Sequence, residues 1–132
     1  MKKLTLKTLE RTYKNNGQHA EQVARYTLTG EIVKADNKPF TAGGDVGDIQ
    51  IKGNRATVCK GNDIDKHLAA DGANRYGYVT EDFRTMVLMN KDEYRAFVET
   101  FASEDRESRK NGGGLKLRLR RENDTMRGWL GL

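Results

Sequence analysis

Cysteine and proline are nearly missing from this chain: its 132 residues contain one of each, Cys59 and Pro39. A single thiol excludes an internal disulfide framework and suits a reducing cytoplasm. A single proline, together with clear periodic segments, argues against a disordered chain. No apolar run approaches the roughly 20 residues a helix needs to cross a bilayer. Met1-Lys2-Lys3 leads into no apolar segment, so no secretory signal is read there. Histidine is also scarce, with only His19 and His67. Cys59 has no Cys or His partner at ligand spacing and reads as a small buried side chain. His67, beside Ile64 and Leu68, reads as structural or exposed rather than catalytic; so does His19, though Glu21 is near it. No internal repeat or low-complexity tract appears, and the length suits one domain spanning residues 1–132.

Charge, by contrast, is abundant. Lys and Arg number 24 against 19 Asp and Glu, a formal net charge of +5. A basic balance with both signs plentiful fits a nucleic-acid partner. The periodic segments predict the following order. Leu6, Leu9 and Tyr13 mark a helix over Thr5–Asn15. A second helix, Gln18–Leu28, is capped by Asn16 and ended by Gly30, with Ala20, Val23, Ala24 and Leu28 inward. Glu31–Ala35 and Arg55–Cys59 read as strands, and Ile64–Ala70 as a short helix capped by Asn62 or Asp63 and ended by Gly72. Tyr76–Thr80 and Thr85–Met89 form a hairpin whose second strand is apolar enough to be central. Asn90 and Glu93 form a capping box for a helix that carries Tyr94, Phe97, Val98 and Phe101 at core spacing, which makes these aromatics core rather than a base-stacking platform. Ser103–Asn111 reads as a charged loop or helix tail. Leu115–Arg120 reads as an edge strand and Glu122–Leu132 as a short closing helix.

The stretch Asp45–Lys52 carries the chemistry. Asp48–Lys52 alternates polar and apolar with the period of a strand. Ile49 and Ile51 then point to a core, while Asp48, Gln50 and Lys52 share the other side, each about 6–7 Å from the next. Gly43, Gly44 and Gly47 lack a Cβ, so a phosphate or metal could approach the backbone there; a plain loop has the same composition. An acid and a lysine on one strand face can hold a divalent metal beside a phosphate.

The string Asp48-Ile49-Gln50-Ile51-Lys52-Gly53 resembles the second half of the PD-(D/E)XK nuclease motif, in which an acid or glutamine and a lysine flank one residue on a strand. Gln50 and Lys52 match those two positions, with glutamine in place of the commoner glutamate. The family's upstream aspartate maps to Asp45, Asp48 or Asp36, and the family usually places it further from the lysine motif than Asp45 is here. The resemblance spans roughly Gly17 to Lys60. It implies an α+β domain of the restriction-endonuclease-like type, with a mixed central β-sheet flanked by helices. It also implies a Mg²⁺ or Mn²⁺ site formed by Asp45 or Asp48, the Gln50 oxygen and the Ile51 carbonyl, with Glu21 nearby, since the family often draws a glutamate from the preceding helix. Glu21 equally suits an ordinary pair with Arg25 one turn away. Lys52 would orient a metal-bound water for attack on a DNA phosphodiester, and cutting both strands would call for a homodimer.

Lys116, Arg118 and Arg120 alternate with leucines to form a basic row, and Arg106, Arg109 and Lys110 lie close by in sequence. Such a row either contacts a nucleic-acid backbone or simply solvates an edge strand and blocks edge pairing. The chain as a whole also resembles small proteins of bacterial phages and integrated elements. That resemblance implies an alternative: a non-enzymatic protein that binds DNA or inhibits a host nucleic-acid enzyme.

Overall fold

A computed structural model describes residues 1–42 and 48–132. The main sheet has five strands in the order β1 (Lys2–Thr5), β6 (Thr85–Asn90), β5 (Arg75–Val79), β3 (Asp48–Gly53) and β2 (Phe40–Thr41). Only β3 and β5 run parallel; the other pairs are antiparallel, so the sheet is mixed. A second, antiparallel sheet has the order β4 (Thr57–Lys60), β8 (Lys116–Leu119) and β7 (Ala102–Glu104). The architecture is α+β.

Each face of the main sheet has its own core. On one face α1 (Asn16–Thr29) lays Ala20, Val23 and Ala24 against Ile49, Ile51, Val79, Met86 and Leu88. On the other, α3 (Lys91–Phe101), α5 (Asp124–Trp129) and the second sheet close over Tyr76, Tyr78, Val87 and Met89. Strand alternation supplies both sets, since successive side chains point to opposite faces. Gly77, in the middle of β5, keeps the α1 side close-packed: a Cβ there would lie 2.8 Å from Met86 Sδ and 3.0 Å from Ile51 Cδ1.

Local chemistry fixes the ends of the helices. Asn15, rather than Asn16, caps α1: its side chain accepts from the Gln18 amide, three residues on, at 3.0 Å. Gly30 ends the helix at φ 77°, a left-handed conformation that glycine adopts without a Cβ penalty. Asp63 caps α2 (Ile64–Asp71), and the Asn90–Glu93 capping box of α3 is formed in both directions.

Four further expectations are corrected. No helix covers Thr5–Asn15. β1 instead pairs with β6, Leu6 is buried, and Arg11 donates to the carbonyls of Tyr13 and Lys14, which fixes a turn. Glu31–Ala35 forms no strand, because side chains take its backbone groups: Gln22 Nε2 donates to the Val33 carbonyl and the Ala35 amide donates to Tyr13 Oη. β8 is not an edge strand but the middle of its sheet. Ser103–Asn111 contains most of β7 and the short helix α4 (Arg106–Lys110) rather than a plain loop.

Candidate functional site: a cleft at the open edge of β3

β2 is only two residues long and pairs with Ile49 and Asp48 alone. Among the described residues, the outer edge of β3 from Gln50 onward therefore has no strand beside it. A cleft of about 710 Å³ opens there. α1 brings Glu21 to it, residues 35–37 bring Asp36 and Asn37, β3 brings Gln50 and Lys52, and α2 brings His67 and Asp71.

Glu21 is 5% exposed. Its Oε2 accepts from the Asp36 amide and its Oε1 from the Asn37 amide, both at 2.8 Å. Burial raises its pKa; the two amides and Arg25 oppose that rise, while the Asp36 charge adds to it. Arg25 bridges the two carboxylates, 3.9 Å from Glu21 and 3.3 Å from Asp36, with its guanidinium over the Phe40 ring. Glu21 thus makes the expected pair with Arg25 and also anchors the 36–37 turn, where Asn37 has φ 58°.

Gln50 is 4% exposed, and its Nε2 lies 3.5 Å from both the backbone and side-chain oxygens of Asn37. Lys52 is largely withdrawn from water. Burial pulls its ammonium pKa down, and the Asp71 carboxylate pushes it back up. Asp71 is held in turn: Tyr76 Oη donates to it at 3.0 Å, and His67 Nε2 lies 3.7 Å away. Sequence reasoning passed over Asp71, which lies one residue beyond the predicted helix Ile64–Ala70, although its spacing of four residues from His67 was a visible signal.

Three of the residues implied by the resemblance, Glu21, Gln50 and Lys52, thus line one cleft together with Asp36. Asp48 does not line it; it sits exposed at the start of β3 and accepts from Thr41 Oγ1 at 2.7 Å. Asp45 lies outside the described residues. The basic row is dispersed. Arg118 lines a neighbouring cavity and pairs with Asp105 at 3.0 Å, while Lys110, Lys116 and Arg120 line neither space.

Among the described residues, no three His, Cys, Asp or Glu side chains gather as a metal site. Of the three carboxylates that line the cleft, Asp71 is held by Tyr76 and His67, which leaves Glu21 and Asp36, with the Gln50 amide, as the oxygens it offers. Hard oxygens in that number suit a Mg²⁺ that keeps several of its waters, rather than a closed cage. Comparison with protein-family models, curated proteins and solved structures returned no match.

Proposed function

We propose that the protein is a divalent-cation-dependent DNA endonuclease whose active site is the cleft beside β3. The observation that carries this reading is the convergence of Glu21, Asp36, Gln50 and Lys52 on one space at an open strand edge. The restriction-endonuclease-like fold is part of the same proposal. It is supported by a glutamate-bearing helix ahead of the strand, a mixed sheet, and the glutamine–lysine pair on one side of β3.

A bound Mg²⁺ or Mn²⁺ would supply a water acidic enough to attack a phosphodiester at neutral pH. Glu21, Asp36 and the Gln50 oxygen are the residues that would hold it. The amides of Asp36 and Asn37 keep the Glu21 carboxylate fixed. Lys52, beside them, orients the attacking water and balances charge on the phosphoryl oxygens; partial burial strengthens that interaction. Asp71 favours the charged form of Lys52 against burial.

Plasmid cleavage with Mg²⁺ tests the reading. Lys52→Ala is expected to lose on the order of 100-fold or more in rate, the usual effect of removing one charge-stabilising donor. Cleavage by Lys52→Ala at the wild-type rate would overturn the assignment.

Arg25 favours a second reading, in which the protein binds DNA or a host nucleic-acid enzyme without catalysis. A guanidinium already neutralises the two carboxylates that a metal would need. Melting curves separate the two readings: a nuclease is stabilised by Mg²⁺ or Mn²⁺ and loses that response in Asp36→Asn, whereas a metal-free binder shows no response.

A further inference from the structure

A second cavity, of about 590 Å³, adjoins the first. The two share a wall that includes Gly17, at the start of α1, and Gly53, at the end of β3. A Cβ on Gly53 would lie 3.8 Å from the Gly17 Cα and 3.6 Å from the Ala20 Cβ. Asn15, Ala56 and Thr57 complete the shared wall, so the two cavities are contiguous and together form one groove.

The second cavity is polar, and its charged lining is mostly cationic: Arg55, Arg118 and Arg121 against the single acid Glu81. Arg121 pairs with Glu81 at 2.9 Å and Arg118 with Asp105 at 3.0 Å. Arg55 is exposed and makes no ion pair or side-chain hydrogen bond among the described residues. It also has φ 62°, a left-handed conformation unusual for arginine, and Phe83 on the same wall has φ 59°. Conformations of this kind persist where the surrounding structure holds them, and they concentrate at ligand sites. Asn54, the preceding residue and also in the lining, has a buried side-chain oxygen with no hydrogen-bond partner among the described residues.

We propose that this second cavity is a backbone subsite for a polynucleotide strand. It takes the phosphodiester of a neighbouring nucleotide on the strand whose scissile phosphate lies beside Lys52, and the strand crosses between the two cavities past the Gly17–Gly53 wall. Arg55 is the main contact, because its guanidinium is free to clamp a phosphate through two parallel hydrogen bonds. Arg121 is the second, recruited from Glu81. The proposal rests on the nuclease reading for the position of the scissile phosphate, but not for the subsite itself.

The test is fluorescence anisotropy with a labelled 12-nucleotide oligo-dT, and with a duplex of the same length, in EDTA across a salt series. Arg55→Gly removes the guanidinium and relieves the left-handed backbone, so it should melt at or above the wild-type temperature. Its affinity for the single strand should nevertheless fall roughly three- to ten-fold, with the slope of log affinity against log salt shallower by about 0.7, the loss of one phosphate contact. Arg121→Ala should lose affinity in the same direction. Lys91→Ala, which removes a charge from a residue lining neither cavity, should bind as wild type does. Unchanged affinity and slope in Arg55→Gly overturn the proposal, as does wild-type protein that fails to bind the oligonucleotide. A loss confined to the duplex overturns the single-strand path. If Arg55→Gly loses affinity while wild type leaves plasmid uncut in Mg²⁺, the nuclease reading fails and the subsite stands.

Discussion

His19 lies in the N-terminal half of α1 with 6% exposure, its ring edge-on to Phe83 at 4.8 Å and its Nδ1 without a hydrogen-bond partner among the described residues. Burial, and then the nearby Arg11 charge, push its pKa below the ordinary 6.5. The unfolded chain therefore takes up a proton near pH 6.5 that the folded chain refuses. Stability is full above that pH and falls as the pH drops toward the lowered folded value. Urea denaturation between pH 7.5 and 5.5 should show a falling midpoint in the wild type and a flatter profile in His19→Gln. A wild-type midpoint independent of pH would remove this account. Asn37, Arg55 and Phe83 share a second residue-scale feature: they are the non-glycine residues with positive φ among those described, and each lines one of the two cavities. Asn37 and Phe83 fall in stretches the sequence marks as turns, and asparagine tolerates this conformation, but no local signal singled out Arg55.

At the scale of elements, Gly77 gives the clearest quantitative expectation. Gly77→Ala drives a methyl group toward Met86 Sδ and Ile51 Cδ1 at 2.8 and 3.0 Å. Both obstacles are ends of flexible side chains, so the cost should be about 1–2 kcal/mol, toward the low side of core overpacking, read as a lower urea midpoint with an unchanged slope. Which elements were legible follows from where their signals lie. α3 and the β5–β6 hairpin carry their cap, apolar period and turn within a few residues, and both formed close to where the sequence placed them. The stretches 5–15 and 31–35 were misread because distant partners decide them: Thr5 pairs with Thr85 and the Leu6 and Lys7 amides donate to the Arg84 carbonyl and Thr27 Oγ1 at the start of the first, and the side chains of Tyr13 and Gln22 satisfy the second. β8 alternates as predicted, but its central position depends on β4 and β7, and no local pattern reports that.

For the molecule as a whole, two sheets meet at the turn between β3 and β4, and the candidate groove follows that meeting line. Alternation along β3 made half of the cleft legible, since it put Gln50 and Lys52 opposite the buried Ile49 and Ile51. The other half arrives from α1, α2 and residues 35–37: Glu21 and Asp36 were already candidates through the resemblance, whereas the roles of Asn37 and Asp71 appear only once the chain is folded. Lys52 carries the cost of this arrangement. An ammonium held in a site that lowers its pKa stabilises the fold less than an apolar side chain of similar length would. Lys52→Met should therefore melt at a higher temperature than wild type and, on the nuclease reading proposed above, cut plasmid poorly, the pattern of a group retained for function. A variant that is both less stable and still active would argue that Lys52 is structural.

Cys59 lies at 0% exposure in β4, its thiol donating to the Gly61 carbonyl at 3.3 Å and its pKa raised by burial. Maleimide dyes attack thiolate, so the native protein leaves them almost nothing to react with. A cysteine engineered anywhere on the exterior would accept a fluorophore as the sole labelled position, with no need to remove the natural one. The slow modification of Cys59 itself then becomes a clock, ticking each time the small sheet breathes open far enough to let the reagent in.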